Sequence, residues 1–386
     1  MKRARSIHVT RTVLASLWMF GGRLLSLVWS LLLIHQFGIS GFGSFTVGIA
    51  GASLILIPLD AYFVVTGVRV NEESFVRDRT TRLWLGLFLL GVGLILFNET
   101  FILGLALSKA GADVAFNAYK SESIRNGQPD VAYRLDVWRQ SLSLGIGGVV
   151  LAVDGNVTLP RATLFYLLGY APLMIAALPM IKGVRPALPE RTRRTGTIVI
   201  DSIGAAAYMQ ADIVLIGMLA SKADAGYFSL GSLAVWLVGG VGQNFSSTFH
   251  ESLRAAKGAT SGGPRIVHTS ALAATSVLAM LVLSLGLWLA GADRQLWMTF
   301  AILSVVAGSR FLSGVFTTVL ILQSRDRTRM VITVVSAVIK LVGIAILGSA
   351  GSVGAAIAFV VSDIFMALCY LRVIYGSPRA SMRPGQ

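Results

Sequence analysis

Apolar runs of about twenty residues, alternating with short basic connections, leave a chain few ways to fold, and this one opens on such a run. The stretch VLASLWMFGGRLLSLVWSLLLI holds one charge, Arg23, near its middle. The uncharged turn HQFGISGFG follows, and a second run, SFTVGIAGASLILIPLDAYFVV, leads back. At 1.5 Å rise per residue, each run covers the ~30 Å hydrocarbon core of a bilayer and reads as a membrane span. The basic N-terminus MKRARSIHVTR precedes a run too long for a signal peptide and without a small-residue cleavage site, so it reads as an uncleaved first span.

Carried along the chain, the same reading gives about twelve spans: 12–36, 43–66, 83–97, 100–119, 138–153, 160–181, 196–219, 226–249, 267–290, 295–322, 330–348 and 352–374. The third and fifth are short and either tilt, start earlier or are miscounted. The fold class is an all-α polytopic membrane protein. A hydrophobic share of 55%, against 13% charged, suits that class and exceeds what a soluble domain of 386 residues needs. The net charge of +15 follows the positive-inside pattern rather than that of a nucleic-acid groove. Connections on one side hold 26 Lys and Arg, and those on the other only Arg161, Lys222 and Arg294. This split predicts that both termini are cytoplasmic. Lys120–Arg139, mixing charges with apolar residues, reads as a surface helix on that side.

A repeat then organises the spans. IGMLASKADAGYFSLGSLAVWLVGG echoes LLIHQFGISGFGSFTVGIAGASLIL, with Gly43, Phe45 and Gly48 falling on Gly226, Phe228 and Gly231. The chain reads as a six-helix lobe, 1–181, a basic linker with two prolines, 182–195, and a second six-helix lobe with a short tail, 196–386. Six spans return the chain to its starting side, so the two lobes are parallel repeats.

Enzyme signatures are missing from the sequence. His250–Glu251 opens like a zincin helix, but Arg254 stands where the second His is required. There is no G-x-S-x-G elbow and no P-loop, and the single cysteine, Cys369, excludes disulfides and cysteine-based metal sites. No metal set and no cofactor site is expected. The outer connections are a few residues each, too short to carry the acid/base groups of a membrane glycosyltransferase or polymerase.

Charges inside spans are costly and are the candidate functional residues. Arg23 lies ~18 Å past the basic edge by helix rise. Lys109 and Asp113 are i,i+4 neighbours in the fourth span, Asp212 is in the seventh, and Arg310 is deep in the tenth. Lys340 and Asp363 share a depth in the eleventh and twelfth, and Asp60 sits at the edge of the second, in the interface. Lys109–Asp113 and Lys340–Asp363 read either as neutralised structural pairs or as groups coupling transport to an ion. Asp212 either bonds nearby backbone and hydroxyl groups or joins that coupling set. Arg23 and Arg310 have no acid within a helical turn, which points to an anionic ligand or a wet cavity. The glycine pairs Gly21-Gly22, Gly147-Gly148 and Gly239-Gly240 read as points of close helix packing.

Two six-span lobes, a G-x-F turn, Gln210-Ala-Asp212-Ile-Val-Leu-Ile-Gly217 and Asp224-Ala-Gly226-Tyr227-Phe228 together carry a resemblance. The chain resembles the polysaccharide (Wzx-type, lipid-linked oligosaccharide) flippases of the multidrug/oligosaccharidyl-lipid/polysaccharide exporter superfamily. The resemblance implies a V-shaped two-lobe fold in the bacterial inner membrane, working by alternating access. It implies movement of an undecaprenyl-pyrophosphate-linked oligosaccharide to the periplasmic leaflet for surface polysaccharide synthesis, with no enzymatic step. On it, Arg23 and Arg310 would attract the pyrophosphate in an inter-lobe cavity. The partners implied are membrane lipids, the lipid-linked anionic glycan, a polysaccharide polymerase and glycosyltransferases, with no nucleic acid. A cation-coupled multidrug exporter and a membrane polysaccharide polymerase or ligase are the alternatives.

Overall fold

The first hairpin turns on one residue. In the computed structural model, α1 (Lys2–Gly67) is 66 residues of helix with a single break, Gly38, at φ 68° and ψ −179°. That left-handed φ costs a residue with a Cβ and costs glycine almost nothing. The expected turn HQFGISGFG is therefore not an open loop: the residues on both sides of Gly38 stay helical. Described are residues 2–67, 70–126, 128–182, 184–186, 193–249, 262–323 and 325–375, together with 253 and 256. The tail beyond 375, His250–Glu251 and half of the expected linker 182–195 lie outside them.

The remaining α-helices among the described residues are α2 (Glu72–Leu96), α3 (Phe101–Arg125), α4 (Pro129–Val153), α5 (Leu159–Leu167), α6 (Ala171–Ala177), α7 (Arg193–Leu219), α8 (Lys222–Ser247), α9 (Ile266–Leu289), α10 (Arg294–Leu322), α11 (Asp326–Leu347) and α12 (Gly351–Tyr375). α5 and α6 form one span, joined through the 3-10 turn Leu168–Tyr170. Pro172, which has no amide to donate, falls in the first turn of α6, directly after the tightened 3-10 turn. Among the described residues, nine stretches are long and apolar enough to cross a membrane. Two of these, Leu17–Gly67 with 51 residues and Arg327–Tyr375 with 49, are each long enough for two crossings. α4 supplies a further helix of 25 residues, its first half made polar by Asp130, Arg134, Asp136 and Arg139. The protein is an all-helical, multi-pass membrane protein of about twelve membrane-crossing helices.

The two short spans do start earlier, α2 at Glu72 and α4 at Pro129. The surface helix expected over Lys120–Arg139 is absent. α3 runs on to Arg125, and α4 begins only four residues later, so the charges assigned to that helix belong to two membrane-crossing ones. Side-chain caps fix three helix starts among the described residues, one of them α10, where Asp293 accepts the Gln295 amide at 2.8 Å. The Asn71 side chain accepts the Ser74 amide at 2.9 Å at the head of α2, and Ser221 accepts the Asp224 amide at 3.0 Å at the head of α8. Asp224 then accepts the Ser352 amide at 2.9 Å, tying the start of α12 to the start of α8.

Contacts divide the chain into two compact units, one up to Ala206 and one from Ala207. In the first, α2 and α3 meet backbone to backbone through small residues: a Cβ on Gly86 would lie 2.5 Å from the Ala115 nitrogen and 2.7 Å from the Gly111 carbonyl oxygen. Trp29 of α1 stacks on Tyr166 of α5 with centroids 4.6 Å apart, and Phe45 meets Tyr166 edge-on at 6.3 Å. In the second unit, Phe228, Leu303, Phe311 and Phe359 are buried among α8, α10 and α12.

Candidate functional site

Each unit buries its own ionic cluster. In the unit from Ala207, Tyr208 and Asp212 sit one turn apart on α7 and so share a face. Lys340 of α11 reaches that face: its Nζ donates to Asp212 Oδ2 at 2.7 Å and also to the Tyr208 carbonyl. The Tyr208 hydroxyl donates to Asp363 of α12. Asp363 accepts the Ser309 hydroxyl at 2.9 Å and lies 3.0 Å from Arg310 Nη2, both from α10. The Arg310 guanidinium packs on the rings of Trp236 and Tyr208, 4.2 and 4.5 Å from their centroids. Two acids face two bases, and Lys340 and Asp363 are fully buried.

This arrangement corrects two expectations. Lys340 and Asp363 share a depth but not a bond: Asp212 takes the lysine, because Asp363 is already held by Arg310, Ser309 and Tyr208. Arg310 is not an uncompensated guanidinium, since Asp363 neutralises it from a helix more than fifty residues away in sequence. Asp212 does bond its local backbone, accepting the Ile213 amide at 2.9 Å, and its other oxygen takes the distant lysine.

In the unit up to Ala206, Lys109 and Asp113 form the expected i,i+4 ion pair on α3. The pair is part of a chain of bonds. Tyr170 donates its hydroxyl proton to Asp113 Oδ1 at 2.5 Å and accepts from Arg139 Nη1 at 2.7 Å. The Gln140 side chain lies 3.1 Å from both Arg139 Nη2 and Ser26 Oγ, linking the cluster to α1. Arg139 is buried, and its Nε has no hydrogen-bond partner. Here two bases meet one acid.

Toward the base-rich end of the same unit, Lys120 bridges both Asp136 oxygens at 3.0 Å. Asp60 holds Arg82 in a bidentate pair, 2.5 Å on each arm, and accepts Asn117 Nδ2 at 2.8 Å. Asp60 is thus buried in an ion pair rather than free at the interface. Sequence reasoning placed Arg82 and Arg139 among loop bases because both helices begin before their apolar runs. The signal that could have exposed them is the helical spacing of Arg139, Gln140 and Ser143 with the run behind them. Arg23 stands apart: its side chain is exposed on α1, and no acid pairs with it among the described residues. Gly22 packs against Gln140 and Gly147 against Trp29, whereas Gly21 and Gly148 have open space beside them.

No protein-family model matches the chain, and no curated protein matches it in sequence. Solved structures do match in fold. An inward-closed structure of the lipid II flippase MurJ superposes with a TM-score of 0.69 at 13% identity, over 94% of this chain and 87% of that one. An inward-facing multidrug-resistance MATE transporter gives 0.64 at 14% identity, covering 92% and 95%. A MOP superfamily transporter from Pyrococcus furiosus gives 0.57 at 13%, covering 93% of each. What this likeness shows is the fold: the chain is built as these MOP superfamily transporters are.

Proposed function

We propose that this protein is a flippase-type exporter of an anionic lipid-linked oligosaccharide, acting without covalent chemistry and serving surface polysaccharide synthesis. The observation that carries the reading is the balance of charge within the helices. The deep carboxylates Asp60, Asp113, Asp212 and Asp363 are each taken by a resident base, Arg82, Lys109, Lys340 and Arg310. Arg139 and Arg23 remain against one unpaired carboxylate, Asp201, so the net surplus is positive and favours an anionic cargo over a cationic one. The fold shared with a lipid II flippase supports the same reading. On this reading a bacterial inner membrane houses the protein with both termini cytoplasmic, glycosyltransferases supply its substrate and a polymerase consumes the product. Residues 1–181 and 196–386 are then the two repeats that alternate.

Arg23 is the residue proposed to meet the pyrophosphate, through bidentate bonds that lysine reproduces poorly. Arg23→Ala should leave the amount of folded protein near normal, because it removes an unpaired charge, yet it should abolish export. Arg23→Lys should restore export in part. The measurement is surface glycan per folded protein in a strain lacking its own flippase, and full export by Arg23→Ala refutes the assignment.

One observation favours a cation-coupled drug exporter instead. Asp201 of α7 is half-buried and has no acid–base partner among the described residues, leaving one carboxylate able to take a cation. Asp201→Asn separates the readings: it leaves glycan export unchanged if the flippase reading holds, and it abolishes gradient-driven drug efflux if the other does.

A further inference from the structure

The base-rich end of the first unit contains a cleft of about 230 Å³ whose chemistry the transport reading does not use. Its walls come from the end of α1, from α2 and from the end of α3. Phe63, Val64, Phe75 and Ile124 make most of its lining apolar, and Lys120 and Arg125 stand among them. Val64 is 56% and Ile124 49% exposed, so the cleft opens outward along a hydrocarbon wall.

The two bases are anchored but not saturated. Arg125 gives two of its five N–H donors to carbonyls at the end of α1 and just beyond it, Gly67 at 3.1 Å and Val70 at 3.0 Å. Its guanidinium rests on the Phe75 ring, 4.3 Å from the centroid. Its acid partner among the described residues, Glu72, stands 3.3 Å away with a side chain 77% exposed, a contact that water screens. Lys120 spends two contacts on Asp136 and retains a third donor. The other charges at the cleft, Asp60 and Arg82, neutralise one another and are sealed from solvent. Lys120 and Arg125 are therefore its available cations.

We infer that this cleft is a binding site for an anionic phospholipid, with the headgroup phosphate on Lys120 and Arg125 and an acyl chain along Val64 and Ile124. A soluble anion would leave the apolar wall wet, and a zwitterionic lipid would gain little from two bases. Basic pockets between membrane helices suit a lipid phosphate, and each base near the surface raises affinity for an anionic lipid about fivefold. A lipid seated here joins the ends of α1, α2 and α3, where Arg125 already reaches the carbonyls of Gly67 and Val70.

Native mass spectrometry of the delipidated, detergent-solubilised full chain tests the site. Phosphatidylglycerol and phosphatidylcholine of identical acyl chains are titrated separately, with inorganic phosphate as a third arm. Phosphatidylglycerol should be retained about 25-fold over phosphatidylcholine. Lys120→Gln with Arg125→Gln should bring that ratio close to one, and Val64→Trp, which fills the cleft without touching a charge, should lower retention of both lipids. Equal retention of the two lipids by the unaltered protein overturns the proposal. So does displacement of phosphatidylglycerol by millimolar phosphate, which would mark a soluble-anion site. Should the double glutamine variant fail to fold, Val64→Trp decides alone, and unchanged phosphatidylglycerol retention by it overturns the proposal.

Discussion

Neutralising one member of a buried ion pair and neutralising both are different perturbations, and the Asp212–Lys340 contact separates them. Asp212→Asn leaves a fully buried ammonium without a counter-ion, which should cost about 3–5 kcal/mol, whereas Asp212→Leu with Lys340→Met should recover most of the loss. The thermal midpoint of the purified protein reads both. A double-mutant cycle should give a large coupling for Asp212 with Lys340 and a much smaller one for Lys340 with Asp363, the reverse of what matched depth in the sequence suggests. Tyr170→Phe should also lower the midpoint, because it removes the hydroxyl that joins Arg139 to Asp113. Only one of these contacts was legible from the chain. Lys109 and Asp113 sit four apart on one helix, where spacing alone implies a pair. Arg310 with Asp363, and Arg82 with Asp60, depend on which helices become neighbours, and depth along a span does not encode that.

Among the helices, apolar length specified nearly every crossing, but it misplaced the starts of α2 and α4 because their first turns are charged. Arg139 was hidden by that error, since a base counted into a connection is not weighed as an intramembrane one. The α2–α3 contact offers a check at this scale. A side chain on Gly111 would run into the α2 backbone around Gly86 and Leu90, while nothing stands beside Gly91 on the other face. Gly111→Leu should therefore lose most of the folded protein on size-exclusion chromatography, and Gly91→Leu should match the unaltered chain. Gly38→Ala belongs with the first kind but milder, costing about 1–2 kcal/mol for its φ of 68°.

For the molecule as a whole, the alternation of bases from side to side makes a topology that can be read with thiol reagents. On a Cys369→Ser background, cysteines placed at Gly155 and Ser221 should react with an impermeant reagent from outside intact cells, and one at Arg185 should react only after permeabilisation. Labelling of position 185 in intact cells would overturn the proposed orientation. Span number was legible because it is a property of single segments and of their order. The clusters were not, because they are properties of neighbours. The spacing within the second cluster also sets a timetable for synthesis. Asp212 precedes its lysine by 128 residues, and at about 5–20 residues per second a ribosome needs roughly 6–26 s to deliver Lys340 after it. Lys109 meets Asp113 almost at once, but Asp212 must enter the bilayer long before its counter-ion exists. A chain paused between the two is the species that would dwell longest with the insertion machinery, and the one most exposed to quality-control proteases.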